Sequence, residues 1–153
     1  MEKLLFSLLL IFSMNAECQR FNQFEWQGDK ATFSSVQLKV IDGATKKVVF
    51  DGYKDSKIEF RSNVGISPTL DVVYIKLAGY FYIESGDVME FQCKVKKSLE
   101  TIVTYSVAEG NKLASVKIFY DDRGRVFEIV VAENEDIMQK KGKTLIFVLT
   151  GFE

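Results

Sequence analysis

The fold is decided by the stretch from Val88 to Val131, which reads VMEFQCKVKKSLETIVTYSVAEGNKLASVKIFYDDRGRVFEIVV. Apolar and polar residues alternate along it with a period of two, which is typical of strands with one buried face. Short polar connections interrupt the alternation at residues 96–98, 109–112 and 121–125. Because connections this short join antiparallel neighbours, the stretch predicts a four-stranded meander.

Upstream of the meander the same alternation predicts three further strands. They cover residues 32–41, 46–53 and 57–61. Asp42-Gly43 follows the first of them and offers the left-handed backbone positions of a tight hairpin turn. The apolar run 70–83 is interpreted as one strand bent at Gly79, or alternatively as two strands that meet there.

Downstream of the meander the pattern predicts a short helix and a last strand. Asn134 can cap a helix of about two turns that ends before Gly142. Thr144–Phe152 then forms the final strand. The fold class is therefore all-β, an antiparallel meander of about nine strands that forms a β-barrel or a two-sheet β-sandwich, with one short helix before the last strand.

The N-terminus has the pattern of an export signal. Leu4 to Met14 is almost continuously apolar, which matches the core of a signal peptide and is too short to span a bilayer. We interpret residues 1–18 as a signal peptide, 19–31 as an N-terminal arm and 32–153 as a single all-β domain. The expected location is the periplasm, the cell envelope or the extracellular space.

Two cleavage positions remain open, and they lead to different cysteine chemistry. Cleavage after Cys18 places small residues at both recognition positions and leaves Cys93 as the single thiol, which we expect to be free and buried. The alternation predicts that Cys93 shares a strand face with Met89, Phe91 and Val95. Cleavage after Ala16 would instead retain both cysteines and permit a Cys18–Cys93 disulfide.

Charge and length limit the classes of partner. Removing residues 1–18 takes away one of the 20 basic residues and two of the 21 acidic ones, so the mature chain is electrically balanced. Such a chain has no overall field that attracts nucleic acid. We expect no nucleic-acid partner and no membrane span after removal of the signal, while the oligomeric state stays open.

The chain contains no histidine, which removes the commonest general base and the usual zinc ligand. We therefore expect no enzyme, no catalytic residue, no cofactor and no metal. A carboxylate-based hydrolase is a remote alternative, because Asp51, Asp55, Asp121 and Asp122 are more simply explained as turn residues that bond their own backbone. Neither Asp121-Asp122 nor residues 133–136 has the ligand spacing of a calcium loop.

Aromatic residues are the one mild excess, and they supply the candidate site. Tyr74, Tyr105, Tyr120 and Trp26 combine an apolar body with a polar tip, which suits a binding surface. The sequence thus predicts a secreted or periplasmic, non-enzymatic β-domain that binds a small ligand or a protein partner. The alternative is an envelope interaction, inhibitor or immunity-type protein that docks through its aromatic N-terminal arm.

Overall fold

The described residues form a closed barrel of eight antiparallel strands. The computed structural model describes residues 30–62, 71–134 and 144–152. The strands are β1 (Lys30–Asp42), β2 (Val48–Ser62), β3 (Asp71–Leu77), β4 (Phe81–Val95), β5 (Thr101–Glu109), β6 (Lys112–Tyr120), β7 (Val126–Asn134) and β8 (Leu145–Phe152). Each strand pairs with the next one in sequence, and β8 pairs with β1. The predicted all-β meander is confirmed, and it closes into a barrel.

Alternate residues of every strand point into the barrel and form one core. On β5, the side chains of Thr101, Val103, Tyr105 and Val107 are buried, whereas the residues between them are only partly covered. All eight strands contribute buried apolar side chains. This burial removes apolar surface from water and is the main force that holds the sheet closed.

Two of the predicted strands are one strand. Residues 48–53 of the first and 57–61 of the second both belong to β2, so Asp51 and Asp55 lie within a strand and do not flank a turn. The pairing of β1 with β2 shifts register between Ser35 and Gln37. Lys54 and Asp55, which separate the two predicted strands, lie at this irregularity. The strand continues through them because a bulge accommodates extra residues without ending the ladder.

The apolar run 70–83 holds two strands, as the alternative interpretation has it. β3 ends at Leu77 and β4 begins at Phe81. Ala78 and Gly79 both have positive φ, 44° and 84°, and the Tyr80 amide donates to the Leu77 carbonyl oxygen at 2.8 Å. A tight turn therefore replaces the predicted bend.

The turn after Asp42 is longer than predicted. Asp42 Oδ1 accepts hydrogen bonds from the Ala44 and Thr45 amides at 2.9 and 2.8 Å. The left-handed residue is Lys46, with φ 60°. Gly43 is needed for another reason: a Cβ there would lie 2.7 Å from the carbonyl oxygen of Thr144, so the close approach to the start of β8 requires glycine.

A bulge also changes the face on which Met89 lies. The pairing of β4 with β5 shifts between Val88 and Glu90, so Val88 is buried while Met89 is 66% exposed. The prediction that Met89 shares a face with Cys93 is wrong. Cys93 itself is partly buried and packs against the core.

The predicted helix lies outside the described residues. Asn134, its predicted cap, is the last residue of β7, and residues 135–143 are not described. The predicted signal peptide and residues 19–29 of the arm also lie outside. β1 begins at Lys30, two residues before the predicted start of the first strand.

We name the two ends of the barrel by what lies there. The hairpin end carries the connections at residues 43–47, 78–80 and 110–111. The terminal end carries the connections at residues 96–100 and 121–125, and it is where β1 begins and β8 ends.

Aromatic side chains fill the hairpin end. Phe147 is fully buried, and its ring centroid lies 5.8 Å from that of Phe81 and 6.5 Å from that of Tyr80. The Tyr80 ring in turn lies 6.0 Å from Phe50. Lys54 Nζ sits over Phe50 and Tyr80 at 5.1 and 5.3 Å, which places a cation on the rings that close this end.

Candidate ligand-binding cleft at the terminal end

A cleft opens at the terminal end because β7 and β8 separate there. Their pairing runs from Ala132–Ile146 to Ile129–Leu149 and goes no further. β8 instead continues beside β1, with Phe152 opposite Ser35. The start of β7 and the end of β8 are therefore not joined by a ladder, and the space between them is accessible from outside.

Gly151 provides the local reason for the divergence. It has φ 68° inside β8, a conformation that L side chains rarely adopt. A Cβ at this position would come within 3.3 Å of Val36 Cγ2. Beside it, the buried Ser35 hydroxyl lies within hydrogen-bond distance of the Thr150 and Gln37 carbonyl oxygens, which share its one proton, and it holds the end of β8 against β1.

The cleft has a volume of about 510 Å³, and its lining is about half apolar and half polar. The residues that line this terminal cleft are Thr32, Phe33, Asp121, Arg125, Val126, Phe127 and Phe152. The ring of Phe33 packs edge-on against Phe60 in the core, with 6.2 Å between centroids. The ring of Phe127 lies 6.1 Å from that of Phe119 on the outer face of β6.

The charged edge is built by the turn between β6 and β7. Asp121 Oδ1 accepts hydrogen bonds from the Arg123 and Arg125 amides at 2.9 and 2.8 Å. Its Oδ2 accepts from Arg125 Nε and lies 3.0 Å from Nη2. The Arg125 amide, followed by its guanidinium and the Arg123 amide, lowers the pKa of the Asp121 carboxyl, although partial desolvation opposes this. The prediction that Asp121 bonds its own turn is confirmed.

Arg125 is fixed by this ion pair but still faces solvent. Its side chain is 69% exposed. A guanidinium has five N–H donors in a planar fork, and both contacts with Asp121 go to one oxygen atom. The outer donors of Arg125 therefore suit an anionic group that enters the terminal cleft.

The predicted tyrosines do not converge on one site. Tyr105 is buried in the interior, where its ring lies 4.6 Å from that of Phe60. Tyr120 is buried at the terminal end of β6. Tyr74 lies on the outer wall, 5.7 Å from the ring of Tyr82, and Trp26 lies outside the described residues.

The outer wall beside Tyr74 carries a fully buried carboxylate. Glu59 has no exposed surface, and its oxygens contact Lys57 Nζ at 2.7 Å, the Arg61 guanidinium and the Thr32 hydroxyl. Lys57 Nζ also lies 5.8 Å from the centre of the Tyr74 ring. Two cations thus compensate the one charged side chain that is buried among the described residues.

At the hairpin end, the carboxylate of Glu109 accepts hydrogen bonds from backbone amides. Glu109 Oε1 accepts from the Ser85 and Glu84 amides at 2.7 and 2.9 Å, where β4 bulges. The Ser85 amide is the main cause that lowers the pKa of Glu109; the Glu84 amide and Lys112 act in the same direction, against partial desolvation. A smaller cleft of about 320 Å³ lies nearby, between Lys76 and the turn that carries Gly79 and Tyr80.

Cys93 is disulfide-bonded, so the expected free thiol is wrong. The chain holds one other cysteine, Cys18, which lies outside the described residues.

In the described part of the chain, no three acidic or cysteine side chains converge to hold a metal ion. None of the described residues belongs to a helix with the length and hydrophobicity that a bilayer crossing requires.

Comparison with known proteins gives no relative. A scan against models of protein families and searches of curated proteins and of solved structures found no match to this chain. The function must therefore be argued from the cleft itself.

Sequence reasoning missed most of the terminal cleft. Phe33 and Phe127 are 94 positions apart in the sequence, and nothing local joins them. The one available signal is Gly151, since a glycine inside a predicted strand often marks a bulge or a close backbone approach.

Proposed function

We propose that this protein is a non-enzymatic binding module whose terminal cleft holds a small molecule with an apolar body and an anionic group. The observation that carries the proposal is a cleft of about 510 Å³ lined by four apolar side chains and by the exposed guanidinium of Arg125, which is paired with Asp121; the apolar residues are Phe33, Val126, Phe127 and Phe152. Small-molecule sites usually have volumes of roughly 300–1,000 Å³ and a mostly apolar lining with a few polar groups.

The interior of the barrel is a poorer location for the ligand. Bulky side chains from facing strands, such as Phe60, Tyr105 and Phe147, are already buried there. Their rings pack on one another and on the surrounding aliphatic residues. A ligand would have to displace this core, which costs far more than filling a cleft that already exists.

We also propose that the protein is exported. The apolar segment from Leu4 to Met14 supports this, and the disulfide at Cys93 adds a second reason. Disulfides persist in oxidising compartments and are rare in the reducing cytosol. N-terminal sequencing of material recovered from the envelope or the medium tests the proposal, and a chain that retains Met1 would contradict it.

Two dyes of nearly the same shape test the binding proposal. 1-Anilinonaphthalene-8-sulfonate carries an anionic group, whereas N-phenyl-1-naphthylamine is its neutral counterpart. We expect both dyes to bind saturably in fluorescence titrations. Arg125→Gln should weaken binding of the sulfonate roughly five- to tenfold and leave the neutral dye nearly unchanged, because only the sulfonate forms a charge-assisted hydrogen bond.

Matched variants locate the site. Phe127→Ala removes a wall of the terminal cleft and should weaken both dyes, whereas Tyr53→Ala removes an aromatic ring that is exposed elsewhere on the barrel and should weaken neither. Arg123→Gln is the control for charge, because Arg123 lies in the same turn but does not line the cleft. Equal loss of sulfonate binding in Arg123→Gln and Arg125→Gln would refute the role of Arg125.

A co-purified ligand would identify the natural class of molecule. Mass spectrometry under native conditions should show the mass of the chain plus a small molecule that Phe127→Ala loses. Saturable binding by neither dye, together with an unliganded mass, would reject the small-molecule proposal and favour a protein partner.

A further inference from the structure

The divergence of β7 and β8 leaves two stretches of strand that are paired on one side only. Residues 126–128 of β7 lie beside β6, and residues 150–152 of β8 lie beside β1. The pairing of β7 with β8 reaches only to the Ile129–Leu149 pair. Within the described part of the chain, neither stretch has a strand on its other side. We call the space between the two stretches the strand gap.

The strand gap is bordered by backbone groups as well as by side chains. Successive residues of an antiparallel strand direct their N–H and C=O groups to opposite sides, so at least one residue of each stretch directs them into the gap. Among the described residues, one hydrogen bond outside the ladders reaches this backbone, from the Ser35 hydroxyl to the Thr150 carbonyl oxygen on the side of β1. A strand edge of this kind is a template for pairing with another extended chain.

Apolar side chains lie on both faces of the sheet at the strand gap. Phe33, Val126 and Phe152 line the cleft and pack against the core. Phe127 follows Val126 and therefore points to the opposite face, where its ring lies near that of Phe119. The substituents of an extended chain alternate between the two faces in the same way. A ligand in the gap can therefore place one apolar group on the inner rings and another on Phe127.

Arg125 determines the direction of such a ligand. It directly precedes β7 at the terminal end, and Asp121 engages its Nε and Nη2 atoms, which leaves the donors of Nη1 to an anion. A carboxylate bound there lies beside the start of β7. The ligand then runs antiparallel to β7, as neighbouring strands of this barrel do.

The length of the strand gap limits the size of the ligand. Three residues of a strand span about 10 Å, which one acyl group, one secondary amide and one carboxylate can fill. The Ile129–Leu149 pair closes the deep end of the gap, because the ladder between β7 and β8 begins there. A protein chain whose C-terminus reached Arg125 would have to continue through this ladder, so a small molecule fits better than a protein partner.

We propose that the ligand of the terminal cleft is an N-acyl amino acid, whose secondary amide pairs with the backbone of residues 126–128 and whose carboxylate binds Arg125. This inference rests on the proposed function, for which it names the class of ligand. The acyl group lies against Phe33 and Phe152, and the side chain of the amino acid lies against Phe127. The amide of the ligand thereby adds the hydrogen bonds that β8 does not make to the start of β7.

Three compounds of nearly the same shape test the proposal by titration calorimetry on the full chain. 2-Naphthoyl-leucine has both the amide and the carboxylate. The 2-naphthoate ester of 2-hydroxy-4-methylpentanoic acid replaces the amide N–H by oxygen, and 2-naphthoyl-leucinamide replaces the carboxylate by a neutral group. We expect the ester to bind roughly three- to tenfold more weakly than 2-naphthoyl-leucine, because one hydrogen bond is lost. The leucinamide should bind roughly five- to tenfold more weakly, because a charge-assisted bond is lost.

Variants separate the two recognition elements. Arg125→Gln should abolish the preference for 2-naphthoyl-leucine over the leucinamide and keep its preference over the ester. Arg123→Gln, in the same turn, should keep both preferences. Phe127→Ala should weaken all three compounds, whereas Tyr53→Ala should weaken none. Because the compounds are compared within each variant, a general loss of affinity does not affect the ratios.

Hydrogen exchange followed by nuclear magnetic resonance locates the amide of the ligand. At saturating 2-naphthoyl-leucine, at least one backbone amide among residues 126–128 should exchange roughly tenfold more slowly, because the carbonyl group of the ligand accepts its hydrogen bond. N-phenyl-1-naphthylamine has no carbonyl group and should protect the same amides much less. Equal protection by the two compounds would overturn the pairing with β7.

Failure of this inference can be distinguished from failure of the proposed function. If the ester binds as tightly as 2-naphthoyl-leucine, the amide does not pair with β7 and the inference is wrong, while saturable dye binding still supports the terminal cleft as a binding site. The same conclusion follows if none of the three compounds binds to protein that binds both dyes. Loss of dye binding as well would reject the site itself.

Discussion

The two ends of the barrel are built from the same eight strands but differ in how they finish. At the hairpin end the rings of Phe50, Tyr80, Phe81 and Phe147 pack together and close the interior. At the terminal end β7 and β8 separate, and a cleft of about 510 Å³ remains. Packed rings fill the interior at the hairpin end, whereas the divergence of β7 and β8 leaves a surface that can bind at the terminal end.

The two ends of the barrel contribute differently to stability and to the proposed binding. The hairpin end buries its aromatic residues against the core and contributes to stability. The terminal end keeps Phe33 and Phe152 only partly buried and places a charged pair, Asp121 and Arg125, beside them. Partly buried rings next to an exposed charge are what an amphipathic ligand requires.

Truncating one phenylalanine at each end should give the largest contrast. Phe147→Ala removes a fully buried ring and should lower the free energy of unfolding by about 3–5 kcal/mol, because a cavity remains. Phe152→Ala removes a ring that is only partly buried and should cost less, about 1–2 kcal/mol. Urea denaturation followed by circular dichroism measures both values. Equal losses would contradict the view that only the hairpin end is sealed.

Glycines with positive φ permit a second contrast. Gly151→Ala and Gly79→Ala each place a Cβ on a left-handed residue, with φ 68° and 84°, and each should cost about 1–2 kcal/mol of stability. Only Gly151 shapes the terminal cleft, so only Gly151→Ala should also weaken dye binding. If Gly79→Ala weakened the dyes equally, the divergence of β8 would not determine the site.

The cation at the hairpin end should have a smaller effect. Lys54→Gln removes the charge over the rings of Phe50 and Tyr80, and we expect a loss of about 0.5–1 kcal/mol from an exposed cation–π contact. Lys47→Gln, in the nearby turn, serves as the exposed control. A stability change of the same size in both variants would argue against a specific contact with the rings.

The smallest effect should be the loss of stability at low pH, to which one carboxylate at each end of the barrel contributes. The pKa values of Asp121 at the terminal end and Glu109 at the hairpin end are lowered in the folded protein. Below about pH 4 the unfolded chain binds protons that the folded chain excludes. The contribution of these two carboxylates to the free energy of unfolding is therefore fully present above their unfolded pKa values, and it is lost as the pH falls through their folded pKa values. Thermal unfolding between pH 5 and pH 2.5 measures this loss.

Matched substitutions assign the acid loss to the two carboxylates. Asp121→Asn and Glu109→Gln should each flatten the dependence of the melting temperature on pH in this range. An unchanged slope in both Asp121→Asn and Glu109→Gln would show that other carboxylates control acid unfolding.

The positions of the meander strands could be predicted, but the start of β4 at Phe81, the end of β7 at Asn134 and the irregularities between strands could not. The predicted strand 113–120 corresponds to Lys112–Tyr120, because alternation and short connections are local signals. The alternation predicts the wrong face for Met89, because one bulge inverts it. The two predicted segments of β2 are one strand, since the partner strand β1 runs on past Lys54 and Asp55.

The candidate site was the least predictable part of the molecule. The chemistry of tyrosine predicts a shared binding surface, yet Tyr74 lies on the outer wall while Tyr105 and Tyr120 are buried. The cleft depends on which strands fail to pair, and hydrophobic periodicity carries no information about that. Small molecules bind where backbone geometry leaves space, so residue chemistry alone did not locate the cleft.

The amino-acid sequence by itself determined the antiparallel meander, because the two-residue alternation and the short polar connections act over neighbouring residues. Only the tertiary structure decided that β8 returns to β1, that β8 leaves β7 near Gly151, and that Phe33 and Phe127 line the same cleft. The physical reason is the separation along the chain of the residues that interact. Alternation is encoded within a few residues, whereas barrel closure and clefts arise from packing between segments far apart in the chain.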